Sequence, residues 1–327
     1  MDCDIARTIA IALIVIAIPI AIILVFLPAW YGRYTSNYKY YFGSLSARMA
    51  WILQECPSFL IPFFFICTSF SSIRENICGV VCLLFYMFHY FYRFHSLRGI
   101  IPSAFIYPLR LRNGKRTPTE IFLMAFLFCL LNGYIQAVYH LSPCVSRTYS
   151  WFYDPRFILG AVIFVAGLVI NWKSDAILHS LRSDGSSGYK IPHGFMFEYV
   201  SGANYFGECV EWIGYAILCW DLAALSFALF TIANVGPRAW QHHKWYKKEF
   251  GDAYPAKRKA LIPFLLYLVC NKQVILSSSL LTLRQRSTPA GHASPEQPFP
   301  LPHPRLPADP IGKESRPARA ADTPVTF

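Results

Sequence analysis

The chain has 327 residues, of which 55% are hydrophobic, 17% aromatic and only 15% charged, and its mean hydropathy is positive. This composition lies outside the usual range of soluble domains and predicts a protein embedded in a lipid bilayer. The formal net charge of +12 does not indicate nucleic-acid binding, because the Lys and Arg residues lie between apolar stretches instead of lining one polar face.

The first predicted element is an uncharged apolar run from Ile9 to Pro28. At about 1.5 Å per residue, a helix of this length spans a hydrocarbon core of roughly 30 Å. A cleaved signal peptide is the alternative, but it would have a shorter apolar core and basic leading residues, whereas Asp2 and Asp4 precede this run. The run is therefore predicted to be a transmembrane helix.

Further apolar segments follow, which predicts an all-α polytopic membrane protein with about seven transmembrane helices. The last two segments are divided only by the polar break at Asp221. The segments run from Trp51 to Phe70, Ile77 to Phe91, Ile121 to Leu141, Phe157 to Trp172, Tyr205 to Trp220 and Leu222 to Val235.

Basic residues are concentrated after the first, third and seventh segments, in loops that contain Arg48, Arg112 and Lys248. Loops rich in Lys and Arg are retained on the cytosolic side during insertion. The sequence therefore predicts a luminal amino terminus and a cytosolic carboxyl terminus. The polar connection from Lys173 to Asn204 lies on the cytosolic side in this topology and is a candidate cover for a soluble cofactor.

The composition changes after Phe264, and the proline-rich stretch from Ser287 to Phe327 has almost no aliphatic periodicity. Such a composition is typical of disordered segments. The predicted organisation is a membrane domain over residues 1–264 and a disordered extension over residues 265–327.

The ten cysteines form neither a C-x-x-C pair nor a zinc-binding spacing. The histidines also lack the spaced boxes of a membrane di-iron enzyme, since the pair His242 and His243 stands alone. No metal site is predicted. The cysteines in or beside apolar runs are predicted to be buried thiols: Cys67, Cys78, Cys82, Cys129, Cys209 and Cys219.

Polar side chains inside apolar segments are costly and mark candidate functional positions. Desolvation favours the neutral form of a buried carboxylic acid, which can donate a hydrogen bond. For about half of these residues, polar pairing between packed helices is the alternative interpretation. The residues in question are Gln54, Glu55, Tyr86, His89, Tyr90, Tyr92, Asn132, Gln136, Asn171, Asp175, Glu208 and Glu211.

The nucleotide-binding signatures G-x-G-x-x-G after a strand and G-x-x-x-x-G-K-[ST] do not occur, which excludes a Rossmann or P-loop interpretation. A dinucleotide could still be held by cationic and amide side chains in the cytosolic loops, because phosphates need donors and positive charge more than one particular fold.

A series of short strings resembles one enzyme family. The strings are LQECPSF from Leu53, HYFYR from His89, NWKSD from Asn171, GYKIP from Gly188, SGANYFGE from Ser201, EWIGY from Glu211, HHKWY from His242 and YPAKRKALIPF from Tyr254. In these strings, and in their order, the chain resembles the steroid 5α-reductases, nearer the type 1 and type 2 enzymes than the polyprenol or enoyl-reductase branches. The resemblance covers roughly residues 45–264.

The resemblance implies a seven-helix bundle in the endoplasmic reticulum membrane that takes NADPH from the cytosol and a steroid from the lipid. It implies reduction of the Δ4 double bond of a 3-oxo-steroid such as testosterone, by hydride transfer to C5. Protein partners are not predicted.

The resemblance also implies roles for particular residues. Glu55 and Tyr90 match the pair that holds the steroid 3-oxo group, and Gln54 and Arg93 match their neighbours. The implied NADPH-binding residues are Asn171, Asp175, Arg182, Lys190, Asn204, Glu208, His242 and Tyr246, together with Tyr107, Arg112 and Lys115.

The chain departs from the family pattern in two places. Extra residues, including Gly99 and Pro102, separate Arg93 from Phe105, and the family pattern ends near Phe264. One alternative is therefore an inactive form of the reductase that arises from altered splicing.

A second alternative is an S-adenosylmethionine-dependent methyltransferase of the isoprenylcysteine type. Those enzymes share a polytopic bundle that ends in a basic, aromatic segment like the one from His242 to Pro263. The Gln54-Glu55 and His89-Tyr90 pairs argue against this alternative.

Overall fold

The computed structural model of the chain describes residues 2–27, 34, 42–69, 76–94, 116–181 and 189–264. The long helices of these residues are α1 Cys3–Phe26, α2 Ala47–Thr68, α3 Ile77–Phe94, α4 Thr119–Leu141, α5 Pro155–Ser180, α6 Ala203–Cys219 and α7 Leu222–Phe250. Two short strands, β1 Ser44–Leu45 and β2 Thr117–Pro118, pair in antiparallel register. Short 3-10 helices cover Tyr149–Tyr153, Phe195–Glu198 and Gly251–Ala253.

The predicted all-α membrane fold is confirmed for the described residues. Five helices, α1, α2, α4, α5 and α7, are long and apolar enough to cross a membrane, and α3 contains a shorter apolar stretch. The predicted division at Asp221 is also confirmed. Trp220 has a left-handed conformation with φ of 50°, and the Asp221 side chain accepts a hydrogen bond from the backbone N–H of Ala224. This cap starts α7.

Two predicted ends were wrong because hydropathy detects only the apolar part of a helix. Helix α5 continues past Trp172 to Ser180, and α7 continues past Val235 to Phe250. The residues from Lys173 to Ser180, predicted as the start of a polar connection, are therefore helical, and Asp175 lies on α5. The proposed boundary at residue 264 stays a prediction, because residues 265–327 lie outside the described part.

Helices α5 and α6 approach each other closely through glycines. A Cβ atom at Gly167 would collide with the backbone of Glu211, and one at Gly214 would collide with the backbone of Phe164. Gly160 and Gly207 face the opposite helix in the same way. Small residues allow such backbone contact between membrane helices, where van der Waals packing drives association.

At one end of the bundle, called the disulfide end here, Cys3 is joined to Cys144 by a disulfide bond. Arg147, three residues after Cys144 in the sequence, is 2.6 Å from the carboxylate of Asp221, so it ties the loop after α4 to the start of α7. The sequence did not predict this disulfide, because 141 positions separate its cysteines.

Five of the six cysteines predicted to be buried thiols are buried and free: Cys78, Cys82, Cys129, Cys209 and Cys219. The prediction for Cys67 was wrong, since this residue is exposed near the end of α2. An apolar run does not by itself tell which face of the helix a residue occupies.

The opposite end, called the strand end here, contains the β1–β2 pair and the segment after α5. Arg258 is fully buried and donates a hydrogen bond to the carbonyl oxygen of Pro192 at 2.8 Å. Backbone hydrogen bonds of Ser201 and Lys259 connect the same two segments. The backbone N–H of Gly194, with smaller effects of Arg258 and His193, lowers the pKa of the Glu198 carboxyl. Arg258 is thus a structural residue as well as part of the basic carboxyl-terminal segment.

Candidate active site

A cavity of about 380 Å³ lies inside the bundle, between residues of α1, α2, α3, α4, α6 and α7. This volume lies in the range of sites for small organic ligands. Most of the wall is aliphatic or aromatic. The polar or charged residues that line it are Gln54, Glu55, His89, Tyr90, Glu208, Thr231, Asn234 and Arg238.

Helix α2 presents a buried stripe to the interior of the bundle. Trp51, Gln54, Glu55 and Ser58 recur at helical spacing, and all four are buried. Gln54 and Glu55 therefore face the cavity instead of the surrounding lipid. Both positions were predicted for the substrate site.

Tyr90 reaches the same cavity from α3 and is 6% exposed. Its ring lies 4.9 Å from the ring of Tyr86 and 6.5 Å from the ring of Trp212, and these two rings also contact each other at 6.1 Å. Trp212 in turn packs at 4.2 Å on Phe227. The structure thus brings Tyr90 and Glu55 to one cavity and holds Tyr90 in a closely packed aromatic wall.

Asn171 and Asn204, both predicted as cofactor residues, are in direct contact. The side-chain amide of Asn171 on α5 donates to the carbonyl oxygen of Asn204 on α6 at 3.1 Å. Because α6 begins at Ala203, Asn204 and Glu208 lie one turn apart on the same face. Glu208 lines the cavity, so this face of α6 leads from the α5 contact to the cavity.

Two buried polar atoms near this contact have no hydrogen-bond partner among the described residues: Nδ2 of Asn204 and Oγ of Ser174. Ser174 lies on α5 about one turn after Asn171 and is fully buried. Buried polar groups are normally paired, and an unpaired one calls for an explanation such as a bound ligand. The pair therefore fits a polar ligand with hydrogen-bonding groups.

The remaining predicted cofactor residues are more dispersed. The His242 ring lies 5.5 Å from the ring of Tyr205, the neighbour of Asn204. Tyr246 stacks on Tyr254 at 5.4 Å, near the strand end. Asp175 and Lys190 are half-buried, on α5 and after it. Outside the described part of the chain lie Arg182, Tyr107, Arg112, Lys115 and the side chain of Arg93.

Arg238 is a cavity residue that the sequence analysis did not single out. It is 5% exposed and lines the cavity from α7. The predicted seventh segment ends at Val235, three residues before this arginine. Since α7 continues through Gly236 and Pro237, a charged residue three positions beyond the apolar run is a candidate intramembrane position by the same criterion as the other polar residues.

One group of potential metal ligands occurs among the described residues. Atoms of Cys82, His140 and Cys219 lie within 4.8 Å of one another, and all three residues are buried. Nε2 of His140 is 3.0 Å from the hydroxyl of Tyr215 and is thus engaged in a hydrogen bond. No metal-binding spacing is visible in the sequence here, because the three residues lie on different helices.

The model of a family described as 3-oxo-5-alpha-steroid 4-dehydrogenase matches residues 115–266. The chain is 44% identical over 236 residues to 3-oxo-5-alpha-steroid 4-dehydrogenase 1 of Mus musculus. The aligned region covers 72% of this chain and 87% of that protein. It is 39% identical over 265 residues to 3-oxo-5-alpha-steroid 4-dehydrogenase 2 of Macaca fascicularis, an alignment that covers 81% of this chain and 99% of the relative. For 3-oxo-5-alpha-steroid 4-dehydrogenase 2 of Homo sapiens, identity is 42% over 238 residues, and the alignment covers 73% of this chain and 88% of the relative.

Proposed function

Because the chain belongs to the 3-oxo-5-alpha-steroid 4-dehydrogenase family, we propose that it reduces the Δ4 double bond of a 3-oxo-steroid such as testosterone, with NADPH as reductant. The chain is an oxidoreductase of steroid metabolism, and its apolar helices are those of a multi-pass membrane protein. The observation that carries the specific proposal is the position of Glu55 and Tyr90 in the wall of one largely apolar cavity.

The cavity suits a steroid because its wall is apolar apart from a few hydrogen-bonding groups. A steroid with a 3-oxo group is a rigid hydrocarbon that carries one acceptor at its end. The aliphatic residues of α1 and the aromatic residues Phe128, Phe227 and Phe230 would contact the hydrocarbon. Tyr90 and Glu55 would face the carbonyl oxygen.

Donors at the carbonyl oxygen lower the barrier of the reaction. Negative charge builds up on this oxygen as the β carbon of an enone is reduced, and preorganised donors in a dry site contribute a few kcal/mol to its stabilisation. The hydroxyl of Tyr90 donates one hydrogen bond. Glu55 donates a second one when it is the neutral acid, the form that burial in an apolar wall favours.

The residues around the α5–α6 contact fit the cofactor. Nδ2 of Asn204 and Oγ of Ser174 are buried donors that have no partner among the described residues, and a carboxamide or a ribose hydroxyl would accept from them. Asn171 holds the Asn204 backbone in place, and Lys190 offers a positive charge for a phosphate. Bound NADPH would supply hydride to C5, after which C4 takes a proton.

The proposed location is the endoplasmic reticulum membrane, with a luminal amino terminus and a cytosolic carboxyl terminus. The Cys3–Cys144 disulfide supports this orientation, because disulfides form and persist in the oxidising lumen and are rare in the cytosol. The proposed cofactor residues Asn171, Asn204 and His242 lie towards the strand end, which faces the cytosol in this orientation. NADPH would therefore enter from that side.

The experiment compares wild-type protein with Tyr90→Phe and Tyr149→Phe in microsomes given testosterone and NADPH. Tyr149 is 69% exposed at the disulfide end, so its change is a matched control. We expect wild-type and control proteins to form 5α-dihydrotestosterone. Tyr90→Phe removes one carbonyl donor and should lower turnover by about 10²-fold. Absence of product from folded wild-type protein, or normal turnover of Tyr90→Phe, would contradict the proposal.

A further inference from the structure

A chain of buried hydrogen bonds connects the disulfide end of the bundle to the wall of the cavity. The hydroxyl of Tyr215 donates to Oε1 of Gln136 at 3.0 Å, and Nε2 of Gln136 donates to Oδ1 of Asn132 at 3.2 Å. Nδ2 of Asn132 then donates to the hydroxyl oxygen of Tyr86 at 3.1 Å. None of these four side chains is exposed to solvent.

The carbonyl oxygen of Ala223 fixes the direction in which this series of hydrogen bonds donates. This oxygen can only accept, and it lies 3.0 Å from the amide nitrogen of Gln136. The amide nitrogen therefore faces Ala223 and Asn132, and the amide oxygen of Gln136 faces Tyr215. Asn132 must then use its oxygen towards Gln136, which leaves its NH₂ group to donate to Tyr86.

The same reasoning extends to Tyr86 and its neighbours at the cavity. Because the oxygen of Tyr86 accepts from Asn132, its single proton points away from Asn132. The ring of Tyr90 packs on the ring of Tyr86, with the two centroids 4.9 Å apart. Ser58 donates its own proton to the carbonyl oxygen of Cys129. Ser58 can then only accept from a neighbouring hydroxyl.

We propose that the proton of Tyr86 goes to the hydroxyl oxygen of Tyr90, so that Tyr90 donates its own proton to the carbonyl oxygen of the substrate. Tyr86, Asn132 and Gln136 are then positioning residues. This inference rests on the proposed role of Tyr90 in the reduction. Successive hydrogen bonds that point the same way polarise one another in a medium of low dielectric constant. A substrate carbonyl would therefore meet a stronger and better oriented donor than an isolated phenol.

Tyr86→Phe is a specific test because it removes the hydroxyl and retains the ring. The ring of Tyr86 packs on Tyr90 at 4.9 Å, on Phe227 at 5.6 Å and on Trp212 at 6.1 Å, and phenylalanine can keep these contacts. Ser226→Ala is the matched control. Ser226 is also fully buried, and like Gln136 it donates to the carbonyl oxygen of Ala223. It is neither a member of the hydrogen-bond series from Tyr215 to Tyr86 nor part of the cavity wall.

The experiment is a double-mutant cycle of Tyr86→Phe and Tyr90→Phe, with turnover of testosterone and its KM measured for purified, folded proteins. We expect Tyr86→Phe to lower turnover by about 10-fold, less than direct removal of a carbonyl donor. The steroid KM should change little, and Ser226→Ala should have wild-type turnover. The double variant should be within about twofold of Tyr90→Phe, because Tyr86 acts only through Tyr90.

Two outcomes would overturn the inference while Tyr90→Phe still impairs the enzyme: wild-type turnover of Tyr86→Phe, or losses that multiply independently in the double variant. Normal turnover of Tyr90→Phe would overturn the proposed function first, and the inference with it. If Tyr86→Phe does not fold, Asn132→Leu replaces it in the same cycle, because leucine keeps the branched shape of asparagine and removes the donor to Tyr86. Independent losses for Asn132→Leu would equally overturn the inference.

Discussion

Nδ1 of His89 on α3 lies 2.6 Å from Oε1 of Glu211 on α6, and both side chains are almost completely buried. This contact joins the helix that carries Tyr90 to the helix that carries Glu208. It therefore sets the distance between the proposed substrate residue and the proposed cofactor residue. Such a buried polar pair is costly to break, because the remaining partner loses its compensation inside the bundle.

Glu211→Ala should destabilise the protein, whereas Glu211→Gln should be tolerated much better. Alanine leaves His89 without this acceptor and is expected to cost about 3–5 kcal/mol, but glutamine keeps an oxygen of similar position. Thermal unfolding of the purified proteins in detergent measures the difference. Equal melting temperatures for wild-type and Glu211→Ala proteins would show that the contact does not hold α3 to α6.

Substitutions at Glu55 should separate hydrogen-bond donation from charge. Glu55→Gln keeps a donor of similar shape and should retain measurable turnover with testosterone. Glu55→Ala removes the donor, and the shorter side chain of Glu55→Asp moves it away from the carbonyl oxygen of the substrate. The turnover of both variants should therefore fall on the order of 10²-fold or more. The measurement is turnover at saturating NADPH, with thermal stability as the control for folding. Inactive Glu55→Gln protein of normal stability would contradict the role as a neutral donor.

Asn204→Ala should raise the KM for NADPH more than the KM for the steroid. The change removes the buried Nδ2 group but leaves the backbone carbonyl that accepts from Asn171. Because this hydrogen bond remains, the α5–α6 contact should survive. If Asn204 merely packs between helices, the yield of protein would fall while the NADPH constant of the surviving enzyme stayed normal.

Cys3→Ser and Cys144→Ser should each lower stability, and the double variant should be no worse than either single one. Removal of a native disulfide typically costs about 2–5 kcal/mol of unfolding free energy.

A glycosylation tag near Cys144 should be modified in intact microsomes, and a tag near Arg112 should not. The opposite pattern of modification would reverse the proposed orientation of the chain.

Gly214→Ala should weaken the α5–α6 contact, because its Cβ would collide with the backbone of Phe164. Overpacking of this kind costs about 1–3 kcal/mol. Gly236→Ala is the control, since a Cβ at that position of α7 meets only the side chain of Leu261 at 4.0 Å. Lower thermal stability of Gly214→Ala alone is the expected result. An equal effect of both changes would mean that helix propensity and not interhelical contact decides.

The sequence predicted the helical membrane fold because long apolar segments can only be satisfied by helices in lipid. It also singled out Glu55 and Tyr90, two of the polar residues that line the cavity, since they stand out against apolar surroundings. It did not predict the Cys3–Cys144 bond or the cavity position of Arg238. The first depends on contact between distant segments, and the second on the continuation of α7 past the end of its apolar run.

The lengths of α5 and α6 have a consequence for synthesis of the protein. Helix α6 has only 17 residues and contains Glu208 and Glu211, so it is a poor candidate to leave the translocon alone. The glycine face of α5 and the imidazole of His89 both precede α6 in the chain. Its two supports are thus made before it emerges from the ribosome, and α6 can partition into the bilayer as the second half of a hairpin.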